Sequence, residues 1–182
     1  MRSDIIAANP NLAGRTGLAF WSRALAKVLI AGNVRVVLYF RLAHKLAGKK
    51  GGLGLALLLR QRGVRISGAE LNPLAEVGPG LYFPHAVGAG FGAWVRIGSN
   101  CRIHNGAIIG PQPQGHAEPQ FVTIGDNVWI GTNAVILGGV TVGDGASIGA
   151  NATVVRDVEP YAVVGASPGR VVGKRDPSDA RM

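Results

Sequence analysis

The sequence predicts a mainly β protein, a parallel β-helix built as a hexapeptide solenoid and preceded by a short α-helical N-terminal segment. Two observations carry that expectation: a six-residue period through the later two thirds of the chain, and a concentration of positive charge in the first third. From Ile124 onward an aliphatic residue recurs at Ile130, Ile136, Val142, Ile148 and Val154. Four positions after each stands a small or β-branched residue, at Val128, Ala134, Val140, Ala146, Ala152 and Val158. The pattern also runs upstream through Ile97, Ile103 and Ile109, with Cys101 and Ala107 in the small slots, and a weaker copy opens at Val77-Gly78 with Leu81.

A period of six fits neither a 3.6-residue helix nor a long alternating strand. It fits a solenoid in which each hexapeptide is one short strand and a tight turn. The aliphatic residue points into a narrow triangular prism and the small residue fills the remaining space. Gly and Asn take the corners, where positive φ is needed at low steric cost. Three hexapeptides make a coil, coils stack at ~4.8 Å, and roughly five fit between Leu71 and Val164. A β-sandwich, the alternative, would not hold one spacing over six consecutive repeats.

The N-terminal third has a different chemistry. Residues 1–65 hold twelve Lys and Arg against one acid, Asp4, whereas residues 66–182 hold seven bases against nine acids. The apolar stretch from Leu18 to Leu46 is interrupted by Arg23, Lys27, Arg35, Arg41 and Lys45, too many charges for a membrane span. It reads as basic amphipathic helix broken near Gly32-Asn33, followed by a Gly48–Gly54 hinge and a second helix from Leu53 to Gln61. The expected organisation is a basic helical segment at 1–66, a β-helix domain at 67–173 and a charged tail at 174–182. Residues 18–65 either pack on each other or on a neighbouring subunit, or dock on an anionic membrane surface. Confinement of the charge to one end argues against a nucleic-acid partner. The single Cys101 excludes a disulfide framework and a multi-cysteine zinc site, no metal cluster is visible, and a cytoplasmic protein, peripheral at the inner membrane face where it docks, is the default.

The period breaks twice, and breaks in a solenoid are where function is grafted. Between Phe83 and Phe91 the spacing is eight, and the segment contains His85. Between Ile109 and Ile124 it is fifteen, and GPQPQGHAEPQFVT leaves the prism as a loop carrying His116.

With GPGLYFPHAVG, the IG-loop element, TIGDNVWIGTNAVILGGVTVGDGASIGANATVVRDV, and upstream YFRLAHKL and SGAELNPLAEVG, the chain resembles the left-handed β-helix acyltransferases, and within them the serine acetyltransferase family. The resemblance covers roughly residues 34–173 and implies a left-handed solenoid and acetyl-CoA as donor. It places the catalytic base at His85 and its orienting carboxylate at Glu70. A base is needed because an alcohol is a poor nucleophile until its proton is removed. The resemblance further implies cofactor contacts at Gly110, Thr132 and Ala150, an aromatic wall at Trp129, a phosphate contact at Arg170, and a homotrimer whose subunits share each site.

The acceptor side departs from the family. Phe121 stands where the family has a second His, which His116 would replace, and residues 111–123 contain no Arg or Lys to hold a serine carboxylate. The acceptor therefore stays open between L-serine or a related small alcohol and a sugar of a polysaccharide precursor. A non-catalytic scaffold, or transfer from a different acyl donor, is the alternative.

Overall fold

In the computed structural model, which describes residues 1–14, 16–111, 120–174 and 176–177, the solenoid begins at Glu70. Five short parallel strands form the first face: Glu70–Leu71, Gly90–Phe91, Ile108–Gly110, Val135–Leu137 and Thr153–Val154. The second face stacks Glu76–Val77, Val95–Ile97, Val122–Ile124 and Thr141–Val142, with Val158 bridging to Val142. The third stacks Arg102–Ile103, Trp129–Ile130, Ser147–Ile148 and Ala162–Gly165, with Tyr82 bridged to Arg102 at one end. Antiparallel Arg170–Lys174 closes its other edge.

The register explains both breaks in the period. Partners lie eighteen residues apart where the repeat is regular, as in Gly90↔Ile108, Thr123↔Thr141 and Trp129↔Ser147. Across the His85 segment the separation is twenty (Glu70↔Gly90, Glu76↔Arg96), and across the long loop it is twenty-seven (Val95↔Val122, Arg102↔Trp129). The insertions therefore add two and nine residues to a coil without shifting the next one. Register must survive, because a slip of one residue would turn every inward aliphatic outward.

All the aliphatic positions from Ile97 to Val154, and the small residues paired with them, are buried in one continuous core. Val77, the weak copy, is only half-buried, at the end covered by the helices. Two corners are columns of left-handed residues. One holds Gly80, Asn100, Asn127 and Gly145, the other Gly88, Gly106, Asn133 and Asn151. Gly is required beneath Asn there: a Cβ at Gly106 or Gly80 would run into the side-chain amide of Asn133 or Asn100. Cys101 lies in its inward slot, where its thiol donates to the Gly125 carbonyl at 3.1 Å and burial pushes its pKa up to about 12. It is a packing residue.

The N-terminal segment holds four α-helices, α1 (Arg2–Ala8), α2 (Gly17–Ile30), α3 (Gly32–Ala47) and α4 (Leu53–Ser67). The break between α2 and α3 falls at Ala31, next to the expected place. Helix α4 runs to Ser67 instead of Gln61, and stops where Gly68 adopts the left-handed conformation. Helix α1 carries no sequence signal that distinguishes it from loop. An open prism end exposes apolar interior and needs a cap. Helix α3 supplies it: Val36, Val37 and Phe40 join the prism core, and Phe40 meets Phe91 edge-on at 5.2 Å.

Asp4 fastens α1 to this cap. Its carboxylate accepts from Arg41 at 2.8 and 3.1 Å and from the Leu81 amide at 3.0 Å, while Arg41 also donates to the Val77 and Gly78 carbonyls. Burial pushes the Asp4 carboxyl up, but the Arg41 hydrogen bonds and charge, with the terminal ammonium, outweigh it and hold the group below the usual carboxylate range.

Candidate active site

The two-residue insertion lifts His85 out of the prism wall, and its ring is exposed to solvent. The loop is anchored at both ends. Asn33 of α3 donates to the Phe83 carbonyl at 2.7 Å, just before it, and the Gly88 and Gly106 amides donate to Ser67 and Val87 around it. The backbone at His85 is thus fixed while its side chain is left free.

Directly above this loop the corner continues as a column. The ladder bonds Gly106→Val87, Asn133→Asn105 and Asn151→Thr132 stack Val87, Asn105, Thr132 and Ala150 in successive coils. The Thr132 hydroxyl donates to Asn105 Oδ1 at 3.1 Å, and Ala150 is exposed above it. A column of small residues lets a thin ligand approach the backbone. Trp129 flanks the column, half-buried on the third face.

Trp129 has a partner that the sequence reading missed. The His104 ring meets it edge-on at 5.0 Å, and His104 Nε2 is buried without a hydrogen-bond partner. Burial, then the Arg102 and His85 charges, push the His104 pKa down. The neutral form of His104 is thus favoured beside the His85 loop. The available signal was a departure from the repeat, since Gly follows the inward aliphatic at Ile97, Ile124, Ile130, Val142 and Ile148 but His follows Ile103.

Not all of the expected residues come together. Glu70 lies on the first face, where its exposed carboxylate accepts from Arg60 Nη2 at 2.9 Å; none of the hydrogen bonds among the described residues joins it to His85. Gly110 ends the third strand of that face, beyond the left-handed corner at Gly106 that follows Asn105. The space where a Cβ would stand on Gly110 is open. Arg170 is exposed on the final strand, and the turn before it is held over the last coil by Ser167 Oγ to Thr153 Oγ1 at 3.1 Å. His116 lies outside the described residues. Phe121, at the end of that loop, meets Trp94 edge-on at 5.3 Å and carries the Arg96 guanidinium 3.8 Å over its ring.

The corner and the coils are those of a hexapeptide transferase: residues 121–156 match the family model of the bacterial transferase hexapeptide (six repeats). Among curated relatives, a serine acetyltransferase of Mycobacterium tuberculosis is 34% identical over 85% of this chain and 67% of its own length. Serine acetyltransferase 4 of Arabidopsis thaliana is 32% identical over 79% of this chain and 40% of its own. A serine acetyltransferase of Brucella abortus in complex with coenzyme A superposes with a TM-score of 0.83 at 27% identity, covering 96% of this chain and 67% of that one. Soybean serine acetyltransferase complexed with serine superposes at 0.78 with 30% identity, covering 93% and 67%. The chain belongs to the serine acetyltransferase family, with its left-handed β-helix. It spans between 40% and 67% of the length of the curated relatives it matches.

Proposed function

We propose that the protein is an acetyl-CoA-dependent O-acetyltransferase with His85 as its general base. The observation that carries this reading is the exposed imidazole on a fixed loop beneath a column of small residues. In support, a neighbour of this fold is a complex with coenzyme A. The open space at Gly110 and the exposed Ala150 fit a thin pantetheine arm; in this reading Thr132 and Trp129 lie along its path and the exposed Arg170 meets a phosphate.

Acetyl-CoA supplies an acyl group already activated as a thioester. His85 removes the proton of the acceptor hydroxyl as its oxygen attacks the thioester carbonyl. The resulting imidazolium returns that proton to the departing sulfur, so the products are the O-acetyl ester and free coenzyme A. Glu70 orients the ring and favours the imidazolium. That role requires its carboxylate to exchange Arg60 for His85, and an exposed ion pair is weak enough to allow the exchange. His116 takes the place of the family's second histidine in this reading.

A site that uses both the His85 corner and Gly110 needs two prisms side by side, which gives a homotrimer with three shared sites. For the acceptor, the soybean complex with serine favours L-serine or a small related alcohol. The Trp94–Phe121–Arg96 cluster beside the loop favours a sugar, because aromatic rings offer an apolar face to sugar C–H groups. Thiol release from acetyl-CoA, measured with L-serine, homoserine and a panel of hexoses, tests the reading. Acceptor-dependent release that disappears in His85→Ala supports it; transfer undiminished in that variant removes His85 from the mechanism. Acetyl-CoA binding without transfer to any acceptor favours the scaffold.

A further inference from the structure

Helix α2 is apolar on two sides. Its inner side packs Phe20 and Ala24 against Ile5, Leu12 and Val34 in a small core of its own. Its outer side presents Leu18, Trp21, Leu25 and Leu29, spaced by three and four residues into one stripe, and these are 90%, 53%, 59% and 65% exposed. With one apolar side already packed inward, a second, solvent-facing apolar stripe of this size requires a cover.

The charge around the stripe selects the cover. Arg23 and Lys27 lie on the same helix, and residues 1–65 contain no acid except Asp4, which is buried and held by Arg41. The exposed charge of the whole segment is therefore positive. A second copy of the segment would bring like charge against like, whereas an anionic surface complements it. A stripe of Leu and Trp on one side of a helix, in a segment whose exposed charge is positive throughout, is the composition of a helix lying in a membrane interface, its apolar side among the acyl chains and the segment's cations near the phosphates. None of the described helices is long and apolar enough to cross a membrane, so the helix would lie in the surface plane.

We infer that the outer face of α2 is a docking surface for an anionic lipid bilayer. The inference is independent of the catalytic reading, and its test needs no activity. Full-length protein is sedimented with vesicles of phosphatidylglycerol and phosphatidylcholine, and with vesicles of phosphatidylcholine alone, at low and high salt. Binding is expected to the anionic vesicles and to weaken as salt rises. The double variant Leu25→Glu with Leu29→Glu should bind at least about tenfold more weakly, the factor that one fully buried leucine supplies. Its circular dichroism and its mass by light scattering should be unchanged. Arg23→Ala with Lys27→Ala leaves the apolar stripe intact and should flatten the salt dependence, which keeps the test valid if the glutamate pair misfolds. Wild-type protein that stays in solution with both vesicle types overturns the inference. So does a lower mass of the glutamate variant without lipid, which would make the stripe an interface between copies.

Discussion

The proposed reaction asks for an imidazole that an acceptor hydroxyl can reach, and the exposure of His85 on an anchored loop fits that demand. His85→Ala should lower kcat by ~100-fold or more, the contribution of a positioned acid–base group, with folding and acetyl-CoA binding retained. Single-turnover kinetics beside a binding isotherm separates the two effects. His104, one coil above, is built differently: half-buried, facing Trp129, with its Nε2 buried and its pKa pushed down by burial. Its folded pKa lies below its unfolded value, so its contribution is complete above the unfolded value of about 6.5 and is lost as pH falls toward the folded one. Wild-type Tm should therefore drop between neutral pH and pH 5 by more than that of His104→Gln, when both are followed by thermal denaturation across that range. Equal slopes would show that the ring titrates as it does in the unfolded chain.

Among elements, α1 depends most on a single contact. Asp4 is 5% exposed, and it holds α1 to α3 and to the start of the prism through Arg41 and the Leu81 amide. Removing Arg41 leaves the buried carboxylate with only the terminal ammonium at 3.0 Å and the Leu81 amide at 3.0 Å, a loss bounded by the about 3–5 kcal/mol of a fully unpaired buried charge. Arg41→Met should therefore destabilise far more than Asp4→Asn with Arg41→Met together, and a double-mutant cycle on chemical denaturation measures the difference. Since the Asp4 pKa is lowered in the fold, this contribution is full above the unfolded carboxylate value and is lost as acid takes the group through its folded pKa. Helix α3 illustrates a different limit. Its apolar stripe is readable in the sequence, but that Phe40 caps the prism on Phe91, and that Asn33 holds the carbonyl before the His85 loop, are contacts between segments fifty residues apart.

For the molecule as a whole, the prism is one narrow core in which every coil supports the next. Ile130 is fully buried in the middle of it. Ile130→Asp places a carboxylate where nothing can pair with it, and should yield insoluble or unfolded protein. The proposed sharing of sites between prisms has a direct test. His85→Ala and Gly110→Trp subunits should each be inactive alone, and the open space at Gly110 lets the second variant fold. Unfolded together and refolded as mixed trimers, they should recover activity, because some sites then take an intact His85 from one chain and an intact Gly110 from the other. Without recovery, both residues serve a site within one chain.

The sequence by itself determined the solenoid, because burial on three narrow faces imposes the six-residue period and each inward residue reports its own position. It also determined where the wall is interrupted, since an insertion shows as a broken period, and the register bears out both insertions at two and nine residues. Tertiary structure decided which residues meet across coils. Asn105 with Thr132, His104 with Trp129 and Arg96 with Phe121 are neighbours only because the coil after the nine-residue insertion resumes in register. It also decided that Glu70 meets Arg60, since that contact depends on α4 running on to Ser67 against the first strand. The physical reason is one of range: a repeat is a local pattern that packing enforces on every residue, whereas a contact between coils depends on how much chain lies between them and where it goes.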